Sequence, residues 1–281
     1  MSALKSIEGQ VRAARRALVR AIPADRRLKG MGGAKGRGWL QARKLTAPFW
    51  QRTVVLSTPS GLRLRVTADP VDEHIAQSIL GPHRPEYFPP WRGALPESPC
   101  ILDIGAHHGL YAAAALHEYP GSRIICVEPS AEALGSLRAN LESNGSLSRA
   151  RIANVALAPE AGEGVLQHAP DGSWGYSLYE EAEAALGSEN VALATLDEIL
   201  AGDRPQILKC NAEGAEFSLI EQLARTDIRP TFMVVMVHPQ FGDMAKLVST
   251  AEGLGYEVTR LGTEHRPAFH MWRTATEGPA A

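Results

Sequence analysis

The chain has 281 residues, 44% of them apolar, and a formal net charge of −2, enough for one large or two small domains with a real core. It holds no run of about 18 apolar residues, which excludes a helical membrane span. It also has no apolar segment near its start, which argues against a secretory signal and for a cytoplasmic location. Charge is unevenly spread: residues 1–52 carry 13 Lys/Arg against 2 Asp/Glu, and residues 53–281 carry 16 against 29, so a basic arm precedes an acidic body.

In chain order, Leu4, Ile7, Val11, Ala14, Leu18 and Ala21 recur at helical spacing, with Lys5, Arg12, Arg15, Arg16 and Arg20 mostly off that stripe. This predicts a basic amphipathic helix ending before Pro23. Such a helix can lie on an anionic membrane surface, pack on a partner subunit (a second copy included), or pack on the acidic body of its own chain. Lys29–Gly38 reads as a linker, and residues 1–52 form one region. Nucleic-acid binding by this arm is disfavoured, because aromatic interleaving is thin, with Trp39 alone among residues 1–48.

Residues 53–57 and 62–67 alternate around Thr58-Pro-Ser-Gly61 and predict a β-hairpin. A helix over 70–80 follows. Pro82–Pro99 is a proline-rich connector carrying His83, Tyr87, Phe88 and Trp91. We assign 53–99 to a cap region and 100–281 to the main domain. From residue 100 strands and helices alternate. Strands are expected near 100–104, 123–128, 150–156, 206–211, 232–237, 256–260 and 268–273. Helices are expected near 109–118, 131–143, 196–201, 215–224 and 242–254. Residues 160–194 form an insertion containing Gly172-Ser-Trp-Gly-Tyr176.

The chemistry is concentrated in Cys100-Ile-Leu-Asp-Ile-Gly-Ala-His-His-Gly109. A buried strand carries Asp103 and ends in a tight turn at Gly105 and Gly109 that opens a helix. Glu128 ends the next apolar run, where a carboxylate takes the ribose hydroxyls of a nucleoside. The turn lacks the second glycine of a dinucleotide loop, since His107 stands there, and it lacks the Gly-Lys-Ser/Thr of a Walker loop. With no phosphate cradle and an acid before the first glycine, it suits a nucleoside with a cationic amino-acid end. S-adenosylmethionine is such a ligand, and a nicotinamide dehydrogenase is disfavoured. Cys100, Cys126 and Cys210 fall in expected strands and read as core thiols. No Cys/His spacing resembles a zinc site, and no metal is expected.

A second distinctive run, Ile207-Leu-Lys-Cys-Asn-Ala-Glu-Gly-Ala-Glu216, reads as a strand with Lys209 and Asn211 on one face. A helix then opens at Glu213-Gly214, with Glu213 and Glu216 at its positive end. Together with Leu102–Tyr111, Val127-Glu-Pro-Ser130, Asn140, Asn154-Val-Ala-Leu157 and Thr195-Leu-Asp197, this ordered set resembles the FkbM-type methyltransferases over roughly residues 100–240. The resemblance implies an α/β, Rossmann-like class I methyltransferase fold with a seven-stranded, mostly parallel sheet, S-adenosylmethionine as cofactor, and methylation of a hydroxyl on a sugar, polyketide or other secondary metabolite. Where the family usually has Asn this chain has His107. Where it usually has Asp this chain has Asn211, and Met236 stands where an acid commonly precedes the His-containing turn.

The expected cofactor residues are Asp103 toward the methionine ammonium, the turn Gly105, Ala106, His107 and Gly109, then Glu128 and Pro129 at the ribose, Asn154 and Ala156 flanking the adenine, and Asn211. The acceptor, a small molecule or glycan, is expected to meet Trp174, Tyr176, Lys209 and Glu213. With two acids replaced, His238 is the first candidate base, His107 or His108 in the cofactor loop the second, and Asn211 can orient the acceptor but not take its proton. Beside the O-methyltransferase reading stand two alternatives, a catalytically weak methyltransferase-like subunit supporting a partner and an N-methyltransferase.

Overall fold

The computed structural model describes residues 53–67, 70–81, 83–91, 96–168, 176–178, 187–262 and 267–273. The basic helix and linker expected in 1–52, and Trp174, lie outside them. Two compact units meet at Arg84/Pro85. In the first, β1 (Thr53–Ser57) and β2 (Arg63–Thr67) form the expected antiparallel hairpin. Helix α1 (Pro70–Leu80) follows. The Asp72 carboxylate accepts from the Thr67 backbone N–H at 2.7 Å and from its hydroxyl at 2.6 Å, fixing the end of β2 to the helix.

The division falls inside the proline-rich connector, near its start. The connector's rings explain this. After α2 (Arg84–Tyr87), Phe88 stacks on Tyr111 at 5.4 Å, and Trp91 meets Trp272 edge-on at 5.2 Å. The second unit therefore starts at Pro85.

Its main sheet contains β3 (Cys100–Ile104), β4 (Arg123–Val127) and β5 (Ala150–Ala153), joined by α3 (Leu110–Glu118) and α4 (Ala131–Ser143). The chain then builds a smaller sheet from β6 (Ala156–Leu157), β7 (Gly162–His168), β8 (Tyr176–Ser177) and β9 (Gly187–Ala194). It returns through α5 (Leu196–Leu200), β10 (Ile207–Cys210), α6 (Ala215–Arg225), β11 (Phe232–Met236), α7 (Met244–Gly253), β12 (Tyr256–Gly262) and β13 (Pro267–Arg273). The seven-stranded order is β12-β13-β11-β10-β3-β4-β5. Strands β11, β10, β3, β4 and β5 run parallel, and β13 is antiparallel to both its neighbours.

Central parallel strands are covered on both faces and so read as continuous apolar runs. All of β3 and β10 is buried, and so is nearly all of β4. Helix α3 buries every residue from Leu110 to Leu116, which its alanines permit by letting the helix approach the sheet closely. The three cysteines are buried thiols, as expected.

The strand expected over 150–156 is instead broken. Residues 150–153 stay in the main sheet, while Ala156 and Leu157 pair with Leu193 and Ala194 in the smaller one. The described residues of the insertion at 160–194 are mostly this second sheet. Its strands escape a reading by alternation because β7 (GEGVLQH) and β9 (GSENVALA) carry glycines and polar residues on largely solvated surfaces. Gln222 ties this sheet to the body: its side chain accepts from Leu196 N–H at 2.7 Å and donates to Ala158 C=O at 3.0 Å.

Candidate active site

From β3 the chain steps outward to β4 and β5, then returns to lay β10 on the other side of β3. The reversal makes a topological switch point between β3 and β10, and ligands of such sheets bind outside the carboxyl ends of the strands there. Both distinctive sequence runs end at this place. Gly105–Gly109 leaves β3, and Asn211–Gly214 leaves β10.

Gly105 and Gly109 have φ of +75° and +76°, a region that favours glycine. At Gly105 space also decides: a Cβ would stand 2.0 Å from the backbone oxygen of Asn211. The two turns are thus in contact, with Asn211 N–H donating to Ile104 C=O at 3.0 Å. Asn140, fully buried on the apolar face of α4, donates from its amide to His108 C=O at 2.8 Å. A polar residue in step with Ala133, Leu137 and Leu141 on that face was the sequence signal for such an anchor.

The loop's amides are already directed. Gly105 N–H and Ala106 N–H both donate to Val127 C=O at 3.0 Å, and His107 N–H donates to Glu128 Oε2 at 2.7 Å. Three successive amides therefore face β4 and make no nest for a phosphate, in line with the missing glycine at 107. Glu128 is 4% exposed, and its Oε1 accepts from Ser130 N–H at 2.9 Å. Burial pushes its pKa up; the nearby His107 and the two amides oppose that. Asn154 donates to the carbonyls of Glu128 (2.9 Å) and Pro129 (2.7 Å). It thereby braces the acid's turn. Ala156 is buried with Leu166 and Val191 in the core of the smaller sheet, so the flanking position expected for it is not where it lies.

Two further expectations are corrected. Asp103 is fully buried, and Lys209, opposite it in the β3–β10 register, reaches its Oδ1 at 2.9 Å. The Lys209 ammonium also donates to Gly105 C=O at 2.6 Å and to Ile104 C=O at 3.3 Å. Asp103 therefore serves Lys209 rather than a ligand's ammonium, and Lys209 serves the glycine loop rather than an acceptor. Burial raises the Asp103 pKa, with Lys209 working against it.

On the β10–β11 side the sequence placed His238 correctly at a strand end but missed its surroundings. Its Nδ1 lies 2.9 Å from Glu216 Oε1, its Nε2 lies 3.1 Å from Glu213 Oε1, and its backbone N–H donates to Glu216 Oε1 at 2.6 Å. Glu216, fully buried in the first turn of α6, also accepts from Gly214 N–H at 2.9 Å. Burial alone would depress the His238 pKa, but hydrogen bonds and charge from Glu213 and Glu216 outweigh it and push it up to about 9. A histidine protonated at neutral pH has no lone pair to take a proton, so His238 is corrected from base to cation.

Two of the three non-glycine residues with left-handed φ among those described, His107 (+48°) and Glu213 (+45°), lie on the two turns of this crevice. Such backbone costs about 1–3 kcal/mol and is concentrated at functional sites. The His107 ring stacks on His108 at 3.8 Å. Asn211 is half-buried between the two turns. Tyr176 lies in β8, in the smaller sheet.

The parallel sheet, the switch-point glycine turn and the acid ending the neighbouring strand define a Rossmann-like fold of the methyltransferase class. The model of the methyltransferase FkbM domain matches residues 103–258, more than half of the chain, and the chain belongs to the FkbM methyltransferase family. Methyltransferase sdnD of Sordaria araneosa is 26% identical over 211 residues, 62% of this chain and 79% of that protein. The crystal structure of methyltransferase FkbM from Methylobacillus flagellatus KT is similar in fold, with a TM-score of 0.50 at 15% identity over 71% of this chain and 53% of that one. This chain thus spans about half the length of that relative. Among the described residues no helix is long and apolar enough to cross a membrane.

Proposed function

We propose that the protein transfers a methyl group from S-adenosylmethionine to a hydroxyl of a sugar, glycolipid or secondary metabolite. The observation that carries the reading is Glu128, a buried carboxylate at the end of β4, beside a glycine turn whose amides face away from any phosphate. A carboxylate suits ribose hydroxyls, and a loop without an anion nest suits a cationic ligand. When bound, the cofactor supplies an electrophilic methyl group. Gly105–Gly109 would form the cradle, Glu128 would hold the ribose, and Pro129 and Asn211 would border it. The Lys209–Asp103 pair keeps the cradle's carbonyls fixed, which is positioning work of the kind methyl transfer needs.

The acceptor hydroxyl would enter over the β10 turn, near Glu213, with Trp174 and Tyr176 as further candidates to line its pocket. The basic helix expected in residues 1–52 would bring the enzyme to an anionic membrane surface or to a second copy of itself. Asn211, in place of the family's usual Asp, favours a second reading, that of a catalytically weak subunit that binds cofactor and supports a partner. Calorimetric titration with S-adenosylmethionine and S-adenosylhomocysteine tests the main reading. Micromolar binding of both, abolished in Glu128→Ala, is expected. No binding by the folded wild-type protein would overturn it.

A further inference from the structure

The crevice has two acids on its β10 side, joined by one histidine. Each ring nitrogen of His238 faces a carboxylate oxygen, at 2.9 Å from Glu216 and 3.1 Å from Glu213. Ionised carboxylates only accept hydrogen bonds, so both contacts are satisfied together only if both ring nitrogens carry hydrogens. With both carboxylates ionised, this geometry makes His238 an imidazolium, and its raised pKa agrees.

The two acids differ. Glu216 is fully buried, takes two contacts from His238 on one oxygen and one from Gly214 N–H on the other, and is a fixed counter-ion. Glu213 keeps 22% of its side chain exposed, stands on the left-handed turn at the mouth of the switch point, and precedes the N-cap of α6. Glu213, the exposed member, is the one that can exchange a proton with a ligand or with solvent. The ring of Phe241, 6.5 Å from that of His238, adds no charge to the cluster.

We propose that Glu213 is the anion beside the transferred methyl group and takes the acceptor's proton, and that His238 is a positioning residue that holds it there. The inference rests on the methyltransferase reading above. In the step, a lone pair of the acceptor oxygen forms the new O–C bond and the C–S bond breaks with its electron pair going to sulfur. The acceptor's proton moves to the Glu213 carboxylate and then to solvent. His238 keeps both of its protons throughout. This restores a carboxylate to a site where Asn211 and Met236 had left the sequence without one.

Two measurements test it without turnover. First, ¹⁵N NMR of the histidine rings in the wild-type protein with S-adenosylhomocysteine should show His238 doubly protonated at pH 7.5, with a midpoint near 9 that falls in Glu213→Gln. A neutral tautomer at pH 7.5 overturns the proposal, and this reading needs no variant to fold. Second, a carboxylate beside a sulfonium favours S-adenosylmethionine over the neutral S-adenosylhomocysteine. The ratio of their affinities should drop several-fold in Glu213→Gln and stay near wild type in Glu213→Asp. An unchanged ratio in Glu213→Gln overturns the role of Glu213 but leaves the cofactor reading intact. Wild-type protein that binds neither compound overturns both.

Discussion

The two walls of the crevice are built differently. On the β3–β4 wall the backbone acts: glycines allow the turn, three amides point at β4, and one acid, Glu128, is held by two of the surrounding N–H groups. On the β10–β11 wall side chains act, as a histidine joins two glutamates across 22 and 25 residues of sequence. The first wall has a fixed shape suited to binding. The second has exchangeable charge suited to chemistry. The Asp103–Lys209 pair is the seam between them, with one member in each strand.

Breaking the seam should have the largest effect. Asp103→Asn leaves the Lys209 ammonium buried without its counter-charge, and removing one partner of a buried pair costs about 3–5 kcal/mol. Urea denaturation measures this. The double change Asp103→Leu/Lys209→Met should recover most of the stability, because an apolar pair of similar size is often neutral. It should not recover cofactor affinity, since the Gly105 carbonyl loses its donor.

The second wall should announce itself through pH. The His238 pKa is about 9 in the folded protein, against about 6.5 for an unfolded histidine. A pKa raised by folding stabilises fully below the unfolded value, and the contribution is lost as pH rises through the folded one. Stability should therefore fall between about pH 6.5 and pH 9 by at most about 3 kcal/mol. In His238→Asn that slope should vanish. Denaturant midpoints across this range decide it, and a flat wild-type profile would remove the imidazolium.

The first wall should respond through binding. Glu128→Gln removes a charged hydrogen-bond acceptor, worth about 1.5–3 kcal/mol or about 10–100-fold in S-adenosylmethionine affinity. The titration of His238 should not move in this variant, and if it does the walls are not independent. Smallest of all should be Asp203→Asn, away from the crevice. Its contacts to Arg123 (2.8 Å) and Arg151 (3.2 Å) are partly exposed, and such pairs contribute about 0–1 kcal/mol, less in salt. Cofactor binding should be unaffected.

These walls also differ in how far the sequence discloses them. Gly105, Gly109 and Glu128 were legible because a glycine turn between an apolar strand and a helix is a local pattern, and an acid closing the next strand follows at a fixed interval. The hairpin, α1 and the alternating strands were legible for the same reason, since periodicity is set by neighbours in the chain. The break at Asn154 was not, because Ala156 and Leu157 leave the main sheet only when β9, more than 30 residues on, is there to pair with them.

The sequence by itself determined the alternation of strands and helices and the glycine turn, carried by short-range spacing and buried apolar runs, and its ordered motifs carried the resemblance to the family. Tertiary structure alone decided the charge on His238 and the partners of Asp103 and Lys209. A side chain's ionisation depends on what burial and register place within a few ångströms, and register joins residues 103 and 209, while the turns after β10 and β11 join 213, 216 and 238.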